Sequence, residues 1–232
     1  ATGLTITDSM LVGLWADGTG SIALQRLVIR GPGQAIALSG VQTAVLDGFL
    51  LQGELGALQA QAIAGGLDLS RGRMQAGETA TTLYLRDITG LSLTDVRVTG
   101  GETGAYLAGL IPAATLDRLS LLSQTGTGLF LDATQGNRPP VLTDLRVVAG
   151  AEAYAAYFRD SGPVTLDRAA LIGAGAGVFA SEGLSAPVFR DSLLIGPPDY
   201  AETHAAFPIT PDQPPGFLPD GLIWWAGDPA IR

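Results

Sequence analysis

The sequence predicts an all-β chain, wound as a single-stranded right-handed parallel β-helix: a solenoid of about nine coils followed by a proline-rich carboxy-terminal tail. Three observations carry this. A frame of apolar, two polar, apolar, any, apolar, any, glycine is clearest in Leu93-Thr94-Asp95-Val96-Arg97-Val98-Thr99-Gly100. It recurs with Ile6, Leu24, Leu46, Leu69, Leu116, Leu142, Leu166 and Phe189 as first residues. The steps between copies are 18, 22, 23, 24, 23, 26, 24 and 23 residues, and a sustained period of this size marks units that bury their apolar faces only by stacking on their neighbours. No segment carries a long apolar pattern at helical spacing, so short strands joined by Gly, Thr, Asp and Pro turns are expected in place of helices.

Residues 1–20 read as a first, irregular coil, with Leu14-Trp15-Ala16 as its second strand and Asp17-Gly18-Thr19-Gly20 as a turn. Its repeat is the shortest, as terminal units that cap an open end commonly are. Down the stack, the third frame position reads Asp8, Arg26, Gly48, Arg71, Asp95, Arg118, Asp144, Arg168 and Asp191. Opposite charges alternate there except at Gly48. With strands ~4.8 Å apart such a column is a charge ladder that fixes register, since like charges in that position would repel. The outward positions of the same strands include Met10, Val12, Val28, Leu50, Leu122, Val148, Ile172, Leu193 and Ile195, interrupted by Arg73, Arg97 and Arg146. Part of that face is therefore expected to be covered by a partner.

From Gly196 the repeat stops, which divides the chain into a β-helix over 1–196 and a tail over 197–232. Eight of the fourteen prolines lie between Pro197 and Pro229, and that density cannot feed a sheet ladder. The apolar Leu222-Ile223-Trp224-Trp225 is expected to dock, over the open carboxy-terminal coil or along the apolar face of the first strands. A linker leading to a further domain is the alternative.

Composition narrows the function. The 232 residues, 47 % of them hydrophobic and with 32 glycines, suit one well-buried domain with tight turns. With 22 acidic residues, 13 arginines and no lysine, the net charge is −9. That opposes nucleic acid and anionic membrane as partners, and the absence of lysine excludes Schiff-base catalysis. There are no cysteines, so no disulfide contributes and compartment cannot be read from them. The chain starts at Ala1 with neither a leader pattern nor a run of about 18 apolar residues, and is expected to be a soluble, processed or excised piece.

The second strand of each repeat sets an aromatic between apolar residues: Leu83-Tyr84-Leu85, Ala105-Tyr106-Leu107, Leu129-Phe130-Leu131, Ala156-Tyr157-Phe158 and Val178-Phe179-Ala180. Alternation turns the flanking residues inward. Tyr84, Tyr106, Phe130, Tyr157 and Phe179 then form an outward column with Trp15 in the same frame, broken in coils two and three. Such a column is read in three ways: rings that stack on each other and cover the sheet, an interface for another protein or a second copy, or a platform for a neutral glycan. Beside it, Asp132, Arg159, Asp160 and Glu182 lie two or three residues beyond Phe130, Tyr157 and Phe179. Paired carboxylates can act as acid and base on a glycosidic bond, and an arginine can neutralise a uronate. The same residues also look like turn chemistry, because Arg159-Asp160-Ser161 is echoed in Arg86-Asp87 and Arg190-Asp191-Ser192. His204 is the single histidine, so a Ser-His-Asp site or a multi-histidine metal site lacks parts, and no metal or cofactor is expected.

Leucine-rich repeats share the period but want an Asn in every copy, and this chain has only Asn137. In repeat form, from Ile6 to about Phe207, the sequence resembles the pectin lyase-like superfamily. The resemblance implies a right-handed parallel β-helix with a substrate groove along a sheet face; the superfamily's polysaccharide-lyase and polygalacturonase signatures are not visible. The expected function is a non-enzymatic extracellular, cell-surface or phage-tail-like module for protein association or glycan binding, with a polysaccharide lyase or glycoside hydrolase as the alternative.

Overall fold

The computed structural model describes residues 1–196 except 19, 111–113, 136–139, 151, 162–163, 174–176 and 183–187, and beyond 196 only residues 203–204 and 223–226. Every described element is a strand, and every strand pairing is parallel. The chain forms a parallel β-solenoid of about seven turns. That is fewer than the nine expected, because Ile6 opens only a two-residue strand and Phe189 leads into a stretch that is largely undescribed.

Each turn has three faces. In the turn that holds the clearest copy of the frame, Leu91–Gly100 bends at Asp95 into a first face (residues 91–94) and a second (residues 96–100), and Thr103–Leu110 forms the third. The first two faces run together in a 13-stranded sheet and the third forms a nine-stranded sheet. In early turns the bend lies inside one long strand, such as Ser21–Gly31 or Thr43–Gly53. In later turns it splits the strand, as between Val141–Thr143 and Arg146–Val148.

The bend explains the frame. All nine third-position residues, from Asp8 through Gly48 to Asp191, have positive φ between 45° and 65°. One residue in the left-handed region turns the chain a corner, so two consecutive positions point outward and the apolar residues on either side both point in. Leu93 and Val96 are accordingly buried while Asp95 is exposed. The first frame position is aligned from turn to turn as Leu24, Leu46, Leu69, Leu93, Leu116, Leu142, Leu166 and Phe189. All eight are buried, and each contributes on the order of 1.5–3 kcal/mol.

A left-handed conformation costs a residue with a Cβ about 1–2 kcal/mol. Arg26 (φ 52°) bears that cost, and the next turn has Gly48 at the same corner. Arg26→Gly is therefore expected to leave the urea midpoint unchanged or raise it. Arg26→Ile, which adds a branched Cβ at the strained position, lowers stability by about 1–2 kcal/mol.

The corner arginines reach back one turn. Arg118 Nε donates to Asp95 Oδ1 at 2.5 Å and Nη2 to Oδ2 at 3.2 Å. Arg168 clasps Asp144 in the same way at 2.8 and 3.1 Å. Where Gly48 interrupts the ladder, Asp47, one residue earlier, takes its place: Arg71 Nε donates to its Oδ1 at 2.9 Å. The arginine hydrogen bonds hold the Asp47, Asp95 and Asp144 carboxyls below their usual range. Arg118 and Arg168 each also contact the aspartate that precedes them, Asp117 and Asp167, so among the described residues the ladder is a set of separate small clusters and not one continuous network.

Two tail segments join the far ends of the sheets. Ile223–Ala226 pairs in parallel with Leu193–Gly196, and Thr203–His204 with Ser181 and Glu182. Of the docking sites expected for the apolar tail segment, its backbone occupies the open carboxy-terminal edge. The prolines between 208 and 219 lie outside the described residues.

Candidate functional site

The third face places two outward columns side by side. One reads Trp15, Ala37, Gln59, Tyr84, Tyr106, Phe130 and Tyr157; the other, two residues further along each strand, reads Asp17, Ser39, Gln61, Arg86, Ala108, Asp132 and Arg159, and the backbone register continues to Ala180 in the first and to Glu182 and His204 in the second. Tyr84, Tyr106, Phe130 and Tyr157 stand outward because their neighbours Leu83, Leu85, Ala105, Leu107, Leu129, Leu131, Ala156 and Phe158 fill the core. Phe179 is a correction. Its backbone is in register with Ala156, and Ala180 takes the position after Tyr157, so the column ends one turn earlier than expected.

The rings are engaged with one another. Tyr84 and Tyr106 are stacked with centroids 5.3 Å apart and planes 5° from parallel. Tyr106 meets Phe130 edge-on at 5.0 Å and 76°, and Phe130 meets Tyr157 at 5.0 Å and 65°. Tyr154, which the sequence did not single out, adds an edge-on contact to Tyr157 at 5.9 Å. Offset and edge-on pairs of this kind contribute about 0.5–1.5 kcal/mol each beyond area burial. All five rings are half-buried. Trp15, by contrast, is 69 % exposed at the amino-terminal end.

The polar column is equally committed. Arg159 grips Asp132 with both arms of its fork, Nε to Oδ1 at 2.8 Å and Nη2 to Oδ2 at 2.6 Å, and the Tyr106 hydroxyl donates to the same Oδ2. The Arg159 guanidinium also lies 5.2 Å from the Phe130 centroid, a cation–π arrangement. These hydrogen bonds, Arg159 foremost, hold the Asp132 carboxyl below its usual range. Burial and the Asp132 carboxylate push the Tyr106 hydroxyl up to about 12. Arg86 repeats the motif one strand before Ala108: the Tyr84 hydroxyl and neighbouring Asp87 hold its guanidinium above the usual value, and Asp87 is 3.4 Å away.

Of the four candidate catalytic residues, Asp132, Arg159 and Glu182 share one backbone register. Asp160 does not: it is an exposed corner residue with φ 49°, equivalent to Asp87 at 54° and Gly109 at 73°. The Arg-Asp-Ser echo is turn chemistry with a common form. Buried Ser161 donates to Leu131 O and Arg159 O at 3.1 and 3.3 Å, and buried Ser192 to Arg190 O at 2.7 Å. A carboxylate with two arginine nitrogens and a phenol on it is ionised and has little basicity to spare. General acid catalysis wants the opposite, a carboxyl raised toward neutral pH. Among the described residues no group of three or more His, Asp or Glu is placed to hold a metal ion.

Fold and site together define a parallel β-solenoid with an interlocked aromatic and ion-paired face. No protein-family model matches the chain, and neither a curated protein nor a solved structure matches it significantly.

Proposed function

We infer that this chain is a non-enzymatic β-solenoid module that docks protein, a second copy or another chain, along its third face, in an extracellular or cell-surface setting. The observation that carries the reading is the orientation of the rings. Tyr84 and Tyr106 stack face to face, Tyr106, Phe130 and Tyr157 meet edge to face, and all four are half-buried, so the rings are packed on one another. A sugar platform needs exposed ring faces, whereas a preorganised strip of Tyr, Phe and Arg has the composition of the protein-interface core. Asp132 is held by Arg159 and Tyr106, which favours a scaffold over a lyase or hydrolase. The likeness in repeat form to the pectin lyase-like superfamily, and the right hand of the helix with it, belong to the same proposal.

Light scattering after gel filtration tests it on the native chain and on Phe130→Ser with Tyr157→Ser. The expected result is an oligomer for the native chain and a monomer for the variant. Two monomers, with a neutral oligosaccharide that binds the native chain and not the variant, would replace association by glycan binding.

A further inference from the structure

The second face carries an unpaired row of arginines. Its outward positions are aligned as Leu50, Arg73, Arg97, Ser120 and Arg146 from turn to turn. Arg73, Arg97 and Arg146 are exposed and make no hydrogen bond or ion pair among the described residues, whereas Arg71, Arg86, Arg118, Arg159 and Arg168 all contact a carboxylate. Arg73 and Arg97 are direct cross-strand neighbours, ~4.8 Å apart along the stack. Like charges so placed repel. In a chain with 22 acidic residues and net charge −9, no carboxylate stands in this stretch of the column to relieve them. Arg73 and Arg97 line a depression of about 240 Å³ whose walls also include Gln52, Gln75 and Thr99.

We propose that this row is a docking site for an acidic surface of a partner protein, two or more carboxylates entering between Arg73 and Arg97 while apolar side chains cover the flanks. The flanks decide between protein and polyanion. Leu50 precedes the arginines in their own column, and Leu122 and Val148 follow Gln75 and Thr99 in the next. A uniformly charged polymer would leave these side chains wet and would run on along an acidic protein; a protein patch of carboxylates with an apolar rim satisfies both. The partner proposed is a different protein: the net charge of −9 opposes a second copy, and six of this chain's carboxylates, Asp47, Asp95, Asp117, Asp132, Asp144 and Asp167, are ion-paired to its own arginines. The inference concerns the second face and stands apart from the reading of the aromatic face.

The test is calorimetric titration of the full chain with a glutamate–leucine copolymer, poly-L-glutamate, polygalacturonate and heparin at low salt. The copolymer is expected to bind most tightly, and more weakly as salt is added. Arg73→Gln with Arg97→Gln lowers that affinity at least tenfold, while Arg118→Gln, at a corner already paired, leaves it unchanged. Both residues of the double variant are exposed and mutually repulsive, so it folds with an unchanged or higher melting temperature, which the same samples report. The proposal is overturned if the copolymer fails to bind or binds the double variant equally well. Tighter binding of polygalacturonate or heparin would make the row a glycan site, and a light-scattering dimer lost in the double variant would make the occupant a second copy.

Discussion

Replacing Phe49 by alanine is expected to lower stability by about 3–5 kcal/mol. Phe49 is 4 % exposed and stands on the inward column of the second face, next to Leu27 in the preceding turn. Its ring fills a space that the following turn leaves open. A Cβ built on Gly72 would lie 1.9, 2.1 and 2.4 Å from three atoms of that ring, so the glycine is there to admit the phenylalanine. Its φ is not positive, and no turn demands it. Gly72→Ala alone should therefore cost about 1–3 kcal/mol through overpacking. The two sites are coupled through one volume. Phe49→Leu together with Gly72→Ala should be more stable than the sum of the single changes allows, by about 0.5–3 kcal/mol. Urea unfolding of the four proteins measures this cycle. Additive behaviour, or a neutral Gly72→Ala, would show that the ring and the glycine do not share the space.

The same pair marks what sequence can reveal here. Leu69, Leu93 and Leu116 repeat a buried position so regularly that the solenoid is legible from period alone. Phe49 opposite Gly72 is a compensation between turns, and nothing in either copy of the frame announces it. The corner was half legible. Asp and Arg alternating at the third position read as a charge ladder, and Gly48 read as its one defect. Gly48 was in fact the signal, since glycine is the residue suited to the positive φ that every member of the column adopts.

On the third face, alternation placed Tyr84, Tyr106, Phe130 and Tyr157 outward because buried leucines, alanines and Phe158 bracket them. Phe179 was misplaced because alternation has two phases. The glycine-rich run before it, Gly173 to Gly177, contains no bulky residue to fix which phase applies. Whether outward rings present faces or edges is set by side-chain rotamers, which a strand pattern does not encode; the stacking of Tyr84 on Tyr106 needed coordinates. Asp132 and Arg159, each two residues beyond an outward ring, are legible in the sequence as neighbours; the fork of Arg159 on Asp132 and the Tyr106 hydroxyl on the same carboxylate needed coordinates.

Asp132→Ala is expected to cost about 1.5–3 kcal/mol, the usual worth of hydrogen bonds to a charged group, and to lower the melting temperature of a chain this size by several degrees. The carboxylate side chain is 14 % exposed, so the loss strips Arg159 of its fork partner and leaves the Tyr106 hydroxyl without its acceptor. The pH dependence has a definite sign. Asp132 in the folded chain titrates below its ordinary value of 3.8. Its contribution is therefore complete above that value and lost as pH falls through the folded one, and Asp132→Asn should flatten the acid side of the stability curve. Tyr106 works at the other end. Its hydroxyl is raised from 10.0 to about 12, so the stability tied to the neutral phenol is complete below pH 10 and lost as pH rises toward 12. Phenolate absorbance should show one tyrosine ionising late in the native chain. In Asp132→Ala that step should move down but stay above the ordinary value, because burial is the larger cause of the shift and remains. A step that does not move would mean that Tyr106 and Asp132 are not bonded in solution, and the interlock that rigidifies the third face would lose its polar half.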